Sequence, residues 1–164
     1  MNVRASGPVD ARGRVTLVGA GPGDPELLTI AAVKAIASAD VILVDDLVHP
    51  AVLEHASASA RIVRVGKRGP CCRSGVLDGD DAGRARPATP QAFIERLMIS
   101  EARRGLHVVR LKGGDPYVFG RGGEERARLI AAGFAVRVIP GISSALPDPR
   151  RWAFRSRIAT TARA

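Results

Sequence analysis

Short apolar runs that end in glycine or charge recur along this chain, and they constrain its fold more than any other feature. Between them lie stretches with helical periodicity or helix-start residues. The predicted strands cover residues 14–20, 41–46, 61–67, 106–113 and 134–141, and the predicted helices cover residues 24–40, 50–60, 90–105 and 123–133. Strands that are apolar on both faces and alternate with helices are typical of a parallel sheet covered by helices. The pattern therefore predicts an α/β fold with a mostly parallel five-stranded sheet.

Two segments interrupt this rhythm. Residues 68–90 are rich in Gly, Pro, Asp and Arg and have no periodicity, which predicts a long, mobile loop. Residues 1–13 are interpreted as a flexible leader, and residues 146–164 as an irregular, arginine-rich tail. One α/β domain over residues 14–145 is the organisation that we expect.

The composition narrows the possible classes of protein. The net charge is +9, from 25 Lys and Arg against 16 Asp and Glu, which fits a basic soluble protein, a polyanionic substrate or a nucleic-acid partner. Only 4% of the residues are aromatic, and faces that bind nucleic acid usually interleave aromatic and basic side chains, so nucleic acid is disfavoured. Cys71 and Cys72 are neighbours and cannot form the spaced pairs of a metal site. Without a membrane-span run or a cleavable signal, the sequence predicts a cytoplasmic protein without metal.

Glycine-rich segments follow the strands at residues 19–23, 66–69, 112–123 and 141. In parallel sheets, ligands bind beyond the carboxyl ends of the strands. The first segment, "GAGPGDPELL", does not have dinucleotide-binding spacing. Pro22 removes a backbone donor, and Asp24 and Glu26 place negative charge where a phosphate would lie. A phosphate-free cofactor fits better, and a plain strand-to-helix turn is the alternative.

Charged residues at two strand ends are candidates for proton transfer. Asp45 and Asp46 end the second predicted strand, and Lys67 and Arg68 end the third. Burial can tune both kinds of group for proton transfer. An ordinary ion pair or solvated strand ends would explain the same residues.

The segment "KGGDPYVFGRGGEE" combines several candidate contacts. Gly113 and Gly114 expose backbone groups, and Asp115 either forms a turn or accepts hydrogen bonds from the ribose or amine of a cofactor. The run Tyr-Val-Phe at 117–119 offers an apolar wall, and Arg121 is suited to an acidic substrate.

Five ordered motifs resemble those of the tetrapyrrole (corrin/porphyrin) methylases. They read "VTLVGAGPGDPELLT", "ADVILVDDLV", "VGKR", "VVRLKGGDPYVFGRGGEE" and "VIPGISSA". The resemblance covers residues 14–145 apart from the 68–90 loop. "VGKR" with "GRGGEE" favours the branch that methylates uroporphyrinogen III over the other corrin-ring methylases and over the ribosomal-RNA and diphthamide branches.

The resemblance implies transfer of methyl groups from S-adenosylmethionine to two carbons of uroporphyrinogen III, giving precorrin-2 for sirohaem and cobalamin synthesis. It also implies two α/β domains with the cofactor between them, and a homodimer. Matched by motif, the residues that hold the cofactor are Pro22, Gly113, Gly114, Asp115, Val118, Ser143 and Ser144. Asp45 corresponds to the proton acceptor and Lys67 to the proton donor. Arg68 and Arg121 are our candidates for the substrate carboxylates.

The sequence departs from the family in two places. The 68–90 loop is longer than the usual connection, and after residue 145 the chain lacks the expected Gly-Ile-Pro-(Leu/Val)-Thr-His-Arg segment and second domain. Residues 152–159 can be back-translated so that a shifted frame reads Gly-Ile-Pro-Val-Thr-His-Arg, which suggests a frameshifted tail. We then expect weak or absent methyltransferase activity. The alternatives are a noncatalytic remnant that binds ligand and another precorrin methylase.

Overall fold

The structure, a computed structural model, describes residues 13–66 and 89–143. These ranges contain five strands, three α-helices and two 3₁₀ turns. The strands are β1 (Arg14–Gly19), β2 (Val41–Val44), β3 (Arg61–Arg64), β4 (His107–Lys112) and β5 (Val136–Ile139). The α-helices are α1 (Ile30–Ala37), α2 (Gln91–Arg103) and α3 (Gly122–Ala131), and the 3₁₀ turns are Pro25–Leu27 and Pro50–His55. The five predicted strands are confirmed.

All strand pairs are parallel, and the strand order is β3-β2-β4-β1-β5. β4 lies between β2 and β1, although it follows both of them in the chain. Since the strands run the same way, their carboxyl ends meet at one edge of the sheet. The parallel sheet predicted from the apolar runs is therefore confirmed, and the loops after β1, β2, β4 and β5 are neighbours.

Apolar side chains cover both faces of the central strands. On one face, α1 and the turn Pro50–His55 pack over side chains that alternate along the strands, and α2 and α3 cover the other face. The first face includes Val18, Ile42, Val44, Val109 and Leu111, and the second includes Val15, Leu17, Val41, Leu43 and Val108. Burial on both faces explains why these strands have continuous rather than alternating apolar sequences.

The two outer strands do not follow this rule. β3 exposes Arg61, Ile62 and Arg64, and β5 is only partly covered. The expectation that every strand is apolar on both faces is therefore wrong for β3 and β5. Each is bonded to a single neighbouring strand, and the described helices lie mainly over the centre of the sheet.

The predicted helix over residues 24–40 is divided. Asp24 caps the 3₁₀ turn Pro25–Leu27, as its side chain accepts a hydrogen bond from the Glu26 amide. Leu28 then takes an extended conformation, and the Thr29 hydroxyl caps α1 by accepting from the Ala32 amide at 3.1 Å. Thr29 is a strong N-cap residue, so it starts a new helix where periodicity alone predicted continuation. The predicted helix over 50–60 is also shorter, because it is the 3₁₀ turn Pro50–His55.

Candidate functional site at the carboxyl edge of the sheet

Three glycines from separate loops converge at the carboxyl edge. A Cβ added to Gly19 would lie 2.6 Å from the Gly114 carbonyl oxygen, and the backbone of Gly141 is as close. A Cβ added to Gly141 would overlap the same Gly114 oxygen. The loops after β1, β4 and β5 therefore approach each other at distances that only glycine allows. We call Gly19, Gly114 and Gly141 the glycine junction.

Backbone hydrogen bonds extend the β1–β4 pairing into this junction. The Ala20 amide donates to the Lys112 carbonyl at 2.8 Å, and the Gly114 amide donates to the Gly21 carbonyl at 2.7 Å. The Gly21 amide returns a bond to the Gly114 carbonyl at 3.2 Å. Gly21 and Gly114 have φ values of 71° and 65°, in the left-handed region that favours glycine. The loops after β1 and β4 are thus held as one unit.

Asp115 connects this unit to the loop after β5. One carboxylate oxygen accepts from the Tyr117 amide at 2.8 Å, and the other accepts from the Gly141 amide at 3.2 Å. The chain turns back after Asp115, and the Gly122 amide donates to the Pro116 carbonyl at 2.9 Å. The predicted turn at Asp115–Pro116 is therefore present.

The segment after this turn is apolar and exposed. Tyr117 and Val118 are each about half-exposed, and Phe119 is 98% exposed with a φ of 55°. Leu47, from the loop after β2, is also exposed and lies against Gly113. The predicted apolar wall is thus at the same edge as the glycine junction.

Asp45 lies at this edge directly after β2, and two groups hold its carboxylate. Oδ1 accepts from the Asp46 amide at 2.9 Å, and Oδ2 accepts from the Arg110 guanidinium at 3.3 Å. The Asp45 side chain is 29% exposed, whereas Arg110 is 3% exposed. Solvent therefore reaches the carboxylate from one side, and a buried cation lies on the other.

Arg110 belongs to a larger group of buried charges beneath the loops. Its Nε donates to Glu125 Oε1 at 3.3 Å, and its Nη1 donates to the carbonyls of Leu43 and Leu111. Lys112 Nζ lies 3.2 and 3.3 Å from the two oxygens of Glu125. Asp45, Arg110, Lys112 and Glu125, which we call the buried ion network, contain two cations and two carboxylates, so their formal charges cancel.

Burial lowers the pKa of Lys112, and the neighbouring Arg110 cation acts in the same direction. Glu125 opposes both effects because its carboxylate stabilises the ammonium. Glu125 is itself fully buried, and Gln91 donates a further hydrogen bond to it at 3.1 Å. A buried carboxylate with three such donors is well satisfied.

Sequence reasoning missed Arg110, Lys112 and Glu125 as members of the site. The available signal was charge inside a predicted buried strand, "LHVVRLKG", because a buried charge needs a partner. Residues two apart in a strand share a face, so Arg110 and Lys112 had to meet the same covering helix. That helix is α3, and Glu125 lies in its first turn.

The structure brings together most of the candidate cofactor residues. Pro22, Gly113, Gly114 and Asp115 lie in the joined loops, Val118 follows them, and Ser143 follows the glycine junction in the chain. Lys67, Arg68 and Ser144 lie outside the described residues, as do Cys71, Cys72, nearly all of the 68–90 loop and the tail. The roles assigned to these residues stay predictions.

Arg121 precedes α3 and pairs with a residue in the first turn of that helix. Its guanidinium donates to both oxygens of Glu124, at 3.0 and 2.6 Å. The hydrogen bond raises the pKa of Arg121 and lowers the pKa of Glu124. Both side chains are more than half exposed. An acidic substrate would have to displace or bypass Glu124 to reach this guanidinium.

Two features that bear on function are absent from residues 13–66 and 89–143. No helix in these ranges combines the length and apolarity needed to cross a bilayer. The same residues contain no group of three or more His, Cys, Asp or Glu side chains placed to hold a metal ion.

Comparison with known proteins identifies the family. The family model for tetrapyrrole (corrin/porphyrin) methylases matches residues 14–149. The chain belongs to this family. The family predicted from the five motifs is therefore confirmed, together with its α/β fold.

The relatives of this tetrapyrrole methylase include methyltransferases and siroheme synthases. A uroporphyrinogen-III C-methyltransferase of Pseudomonas aeruginosa is 54% identical over 134 residues, which are 82% of this chain and 48% of that protein. A siroheme synthase of Pseudomonas putida is 47% identical over 138 residues, which are 84% of this chain and 26% of that protein.

A solved structure shares the fold of this tetrapyrrole methylase. It is the uroporphyrin-III C-methyl transferase from Thermus thermophilus complexed with S-adenyl homocysteine, at 44% identity and a TM-score of 0.62. The match covers 82% of this chain and 47% of that chain. This tetrapyrrole methylase therefore spans about half the length of the methyltransferases that it matches.

Proposed function

We propose that this chain is part of an enzyme that methylates uroporphyrinogen III, with S-adenosylmethionine as methyl donor and precorrin-2 as product. The observation that carries the proposal is the 44% identity to a methyltransferase solved with S-adenyl homocysteine, over 82% of this chain. The product would serve sirohaem or cobalamin synthesis.

The joined loops are suited to a cofactor without phosphate. Asp24 and Glu26 place carboxylates beside the loop after β1, where they would repel a phosphate. Glycines at the junction leave backbone groups open to close approach. We assign cofactor binding to these loops, through Pro22, Gly113, Gly114, Asp115, Val118, Ser143 and Ser144.

In the proposed reaction, the protein has to align the methyl donor with the ring carbon and to transfer protons. S-adenosylmethionine, when bound, supplies a methyl group on a sulfonium that an electron-rich pyrrole carbon can attack. The loops around the glycine junction have to align the two reactants. Asp45 accepts the proton that the ring loses, and Lys67 returns one. Arg110 supports the first role, because it holds one Asp45 oxygen from below and leaves the exposed side of the carboxylate open.

The substrate carries many carboxylates, which fits the net charge of +9. Arg68 and Arg121 are assigned to these carboxylates, and Arg121 would exchange Glu124 for substrate. We place the enzyme in the cytoplasm as a homodimer, without metal and without a nucleic-acid partner. The low aromatic content of 4% supports the last assignment.

A second candidate, for these 164 residues by themselves, is ligand binding without turnover. The chain matches 48% of the Pseudomonas aeruginosa methyltransferase. A site completed by other parts of such an enzyme would leave these 164 residues able to bind cofactor but slow to methylate.

Calorimetry with S-adenosylhomocysteine and a turnover assay with uroporphyrinogen III test both candidates. We expect binding, together with slow or undetectable formation of methylated product. Asp45→Asn keeps the shape of the side chain, so it should retain binding and abolish any turnover. Absence of binding by the folded wild-type chain would contradict the assigned cofactor site, and rapid turnover would eliminate the second candidate.

A further inference from the structure

We propose that the Asp115 side chain is a positioning group that sets the spacing of the cofactor loops and does not itself bind the ribose or amine of the cofactor. Asp115 then contributes to the assigned cofactor site through its backbone. Its carboxylate acts as a strut between the loop after β4 and the loop after β5. The identity of the ligand rests on the proposed function, whereas the strut is a property of the ligand-free protein.

The strut joins two strands that are not neighbours. β1 lies between β4 and β5, and the β1–β5 register ends at the pair Val18–Ile139. Beyond that pair, Asp115 Oδ2 accepts a hydrogen bond from the Gly141 amide at 3.2 Å. The carboxylate therefore crosses the end of β1 and ties together loops that the sheet ladder does not join directly.

The glycine junction makes this crossing possible. Gly19 ends β1 beneath the strut, and a Cβ there would overlap the backbone of both Gly114 and Gly141. The three loops can therefore close over β1 only because no side chain intervenes. The other oxygen of Asp115 is fixed by the Tyr117 amide at 2.8 Å, so the carboxylate is oriented from both sides.

The variant Asp115→Asn distinguishes a strut from a direct contact between the Asp115 side chain and the ligand. Asparagine can still accept from the Tyr117 amide, but the group that replaces the second oxygen is a donor and cannot accept from Gly141. Without the strut, the Gly141 amide loses its hydrogen bond to the loop after β4, and the two loops are no longer tied together at this point. Affinity for a ligand that contacts both loops should then fall by about 10-fold, whatever groups the ligand carries on its ribose or amine.

The decisive measurement compares ligands by calorimetry. Wild type and Asp115→Asn are titrated with S-adenosylhomocysteine, with an analogue lacking both ribose hydroxyls and with an analogue lacking the amine. A strut predicts the same fold-loss for all three ligands. If the loss disappears for either analogue, Asp115 binds the missing group and the proposal is overturned. Unchanged affinity for all three would also overturn it.

Amide exchange of the ligand-free protein tests the strut without any ligand. We expect the Gly141 amide of the wild-type chain to exchange slowly and to accelerate at least about 10-fold in Asp115→Asn. Free exchange of Gly141 in the wild type would overturn the proposal even if the variant did not fold. Glu54→Gln, in the exposed turn Pro50–His55, removes the same charge and should leave Gly141 unchanged.

The two measurements distinguish a failure of the strut from a failure of the proposed function. If the wild-type chain binds no S-adenosylhomocysteine while Gly141 responds to Asp115→Asn, the proposed function fails and the strut stands. If the ligand binds and Gly141 does not respond, the strut fails and the proposed function stands.

Discussion

The two ends of the central sheet satisfy their buried polar groups in different ways. At the amino end, the buried His107 ring bonds to neutral groups, since Nδ1 lies 2.8 Å from the Ser38 carbonyl and Nε2 lies 3.0 Å from the Thr16 hydroxyl. The charged residues that contact His107, Arg14 and Asp40, are themselves exposed. A carbonyl can only accept, so Nδ1 carries the hydrogen and Nε2 accepts from Thr16. At the carboxyl end, the buried ion network holds four charged groups.

The difference shows where the fold accepts a costly arrangement. Buried ions lose hydration, and their mutual attraction often does no more than restore that loss. The hydrogen bonds of the His107 ring to neutral groups avoid this cost. The buried carboxylate at the amino end, Glu101, pairs with the exposed guanidinium groups of Arg61 and Arg104. The network lies under the loops that we assign to cofactor and substrate, so the expensive arrangement is at the edge where the proposed chemistry takes place.

Among the tests of this comparison, Glu125→Gln has the largest expected effect on stability. The substitution keeps the shape of the side chain but leaves Arg110 and Lys112 with one partly exposed carboxylate between them. We expect the free energy of unfolding to fall by about 3–5 kcal/mol, measured by urea denaturation. Because the pKa of Lys112 is already lowered, the folded variant releases this proton more readily than the unfolded chain, so its stability should recover as pH rises.

Glu124→Gln is the matched control for Glu125→Gln. The two residues are adjacent in α3, but Glu124 is exposed and pairs only with Arg121 among the described contacts. The control should have a free energy of unfolding close to that of the wild type in the same urea denaturation. Equal losses for both variants would show that burial does not distinguish the two ion pairs, and the comparison would fail.

A smaller loss of stability is expected from a substitution in the glycine junction. Gly141→Ala places a Cβ against the carbonyl oxygen of Gly114 and the backbone of Gly19. Backbone cannot move aside as a flexible side chain can, so we expect a loss of about 1–3 kcal/mol by urea denaturation. Weaker binding of S-adenosylhomocysteine should accompany it if the loops hold the cofactor.

Gly123→Ala is the control for the junction, with the opposite sign. Gly123 is exposed in α3, and a Cβ there approaches only the Tyr117 ring at 4.0 Å. Alanine favours a helix over glycine, so the variant should gain up to about 1 kcal/mol. A gain from Gly141→Ala as well would contradict the close approach of the three loops.

Local patterns explain what the sequence predicts well. The five strands are short, mainly apolar runs followed by glycine or charge, and that signal lies within each run. Parallel direction then predicts that the glycine segments meet at one edge, and residues 19–23, 112–123 and 141 do so. The exposed edges of β3 and β5 were not predictable in this way, because strand order depends on contacts between distant parts of the chain.

The site was predictable only where motifs carry it. The sequence predicted the position of Asp45 and of the glycine segment at 113–114 at this edge. The Arg110–Glu125 pair joins residues of different elements, and apolar periodicity does not report it. The break at Thr29 had a local signal, but it conflicted with a longer periodic run. Asp115 was assigned to a turn or to the cofactor, and its bond to Gly141 depends on three loops meeting.

The amino end allows a pH test with a smaller expected effect. Burial lowers the pKa of His107 from its usual 6.5, and the neighbouring Arg14 cation acts in the same direction, while the Ser38 carbonyl and Asp40 oppose them. The unfolded chain therefore binds a proton first as pH falls below 6.5, so stability should fall with it. Urea denaturation from pH 7.5 to pH 5 should show a steeper loss for wild type than for His107→Gln. Parallel profiles would mean that the surroundings of His107 do not resist its protonation.

The smallest effect is expected for Arg121→Gln. The Arg121–Glu124 pair is close in geometry, at 2.6 Å, yet both side chains are exposed and compete with water and salt. We expect no measurable change in the urea midpoint, although the pair is shorter than any contact within the buried ion network. Because Glu124→Gln removes the other partner, a double-mutant cycle at low and high salt measures the coupling directly. A large coupling that persists in high salt would show that distance, rather than burial, determines the strength of ion pairs in this protein.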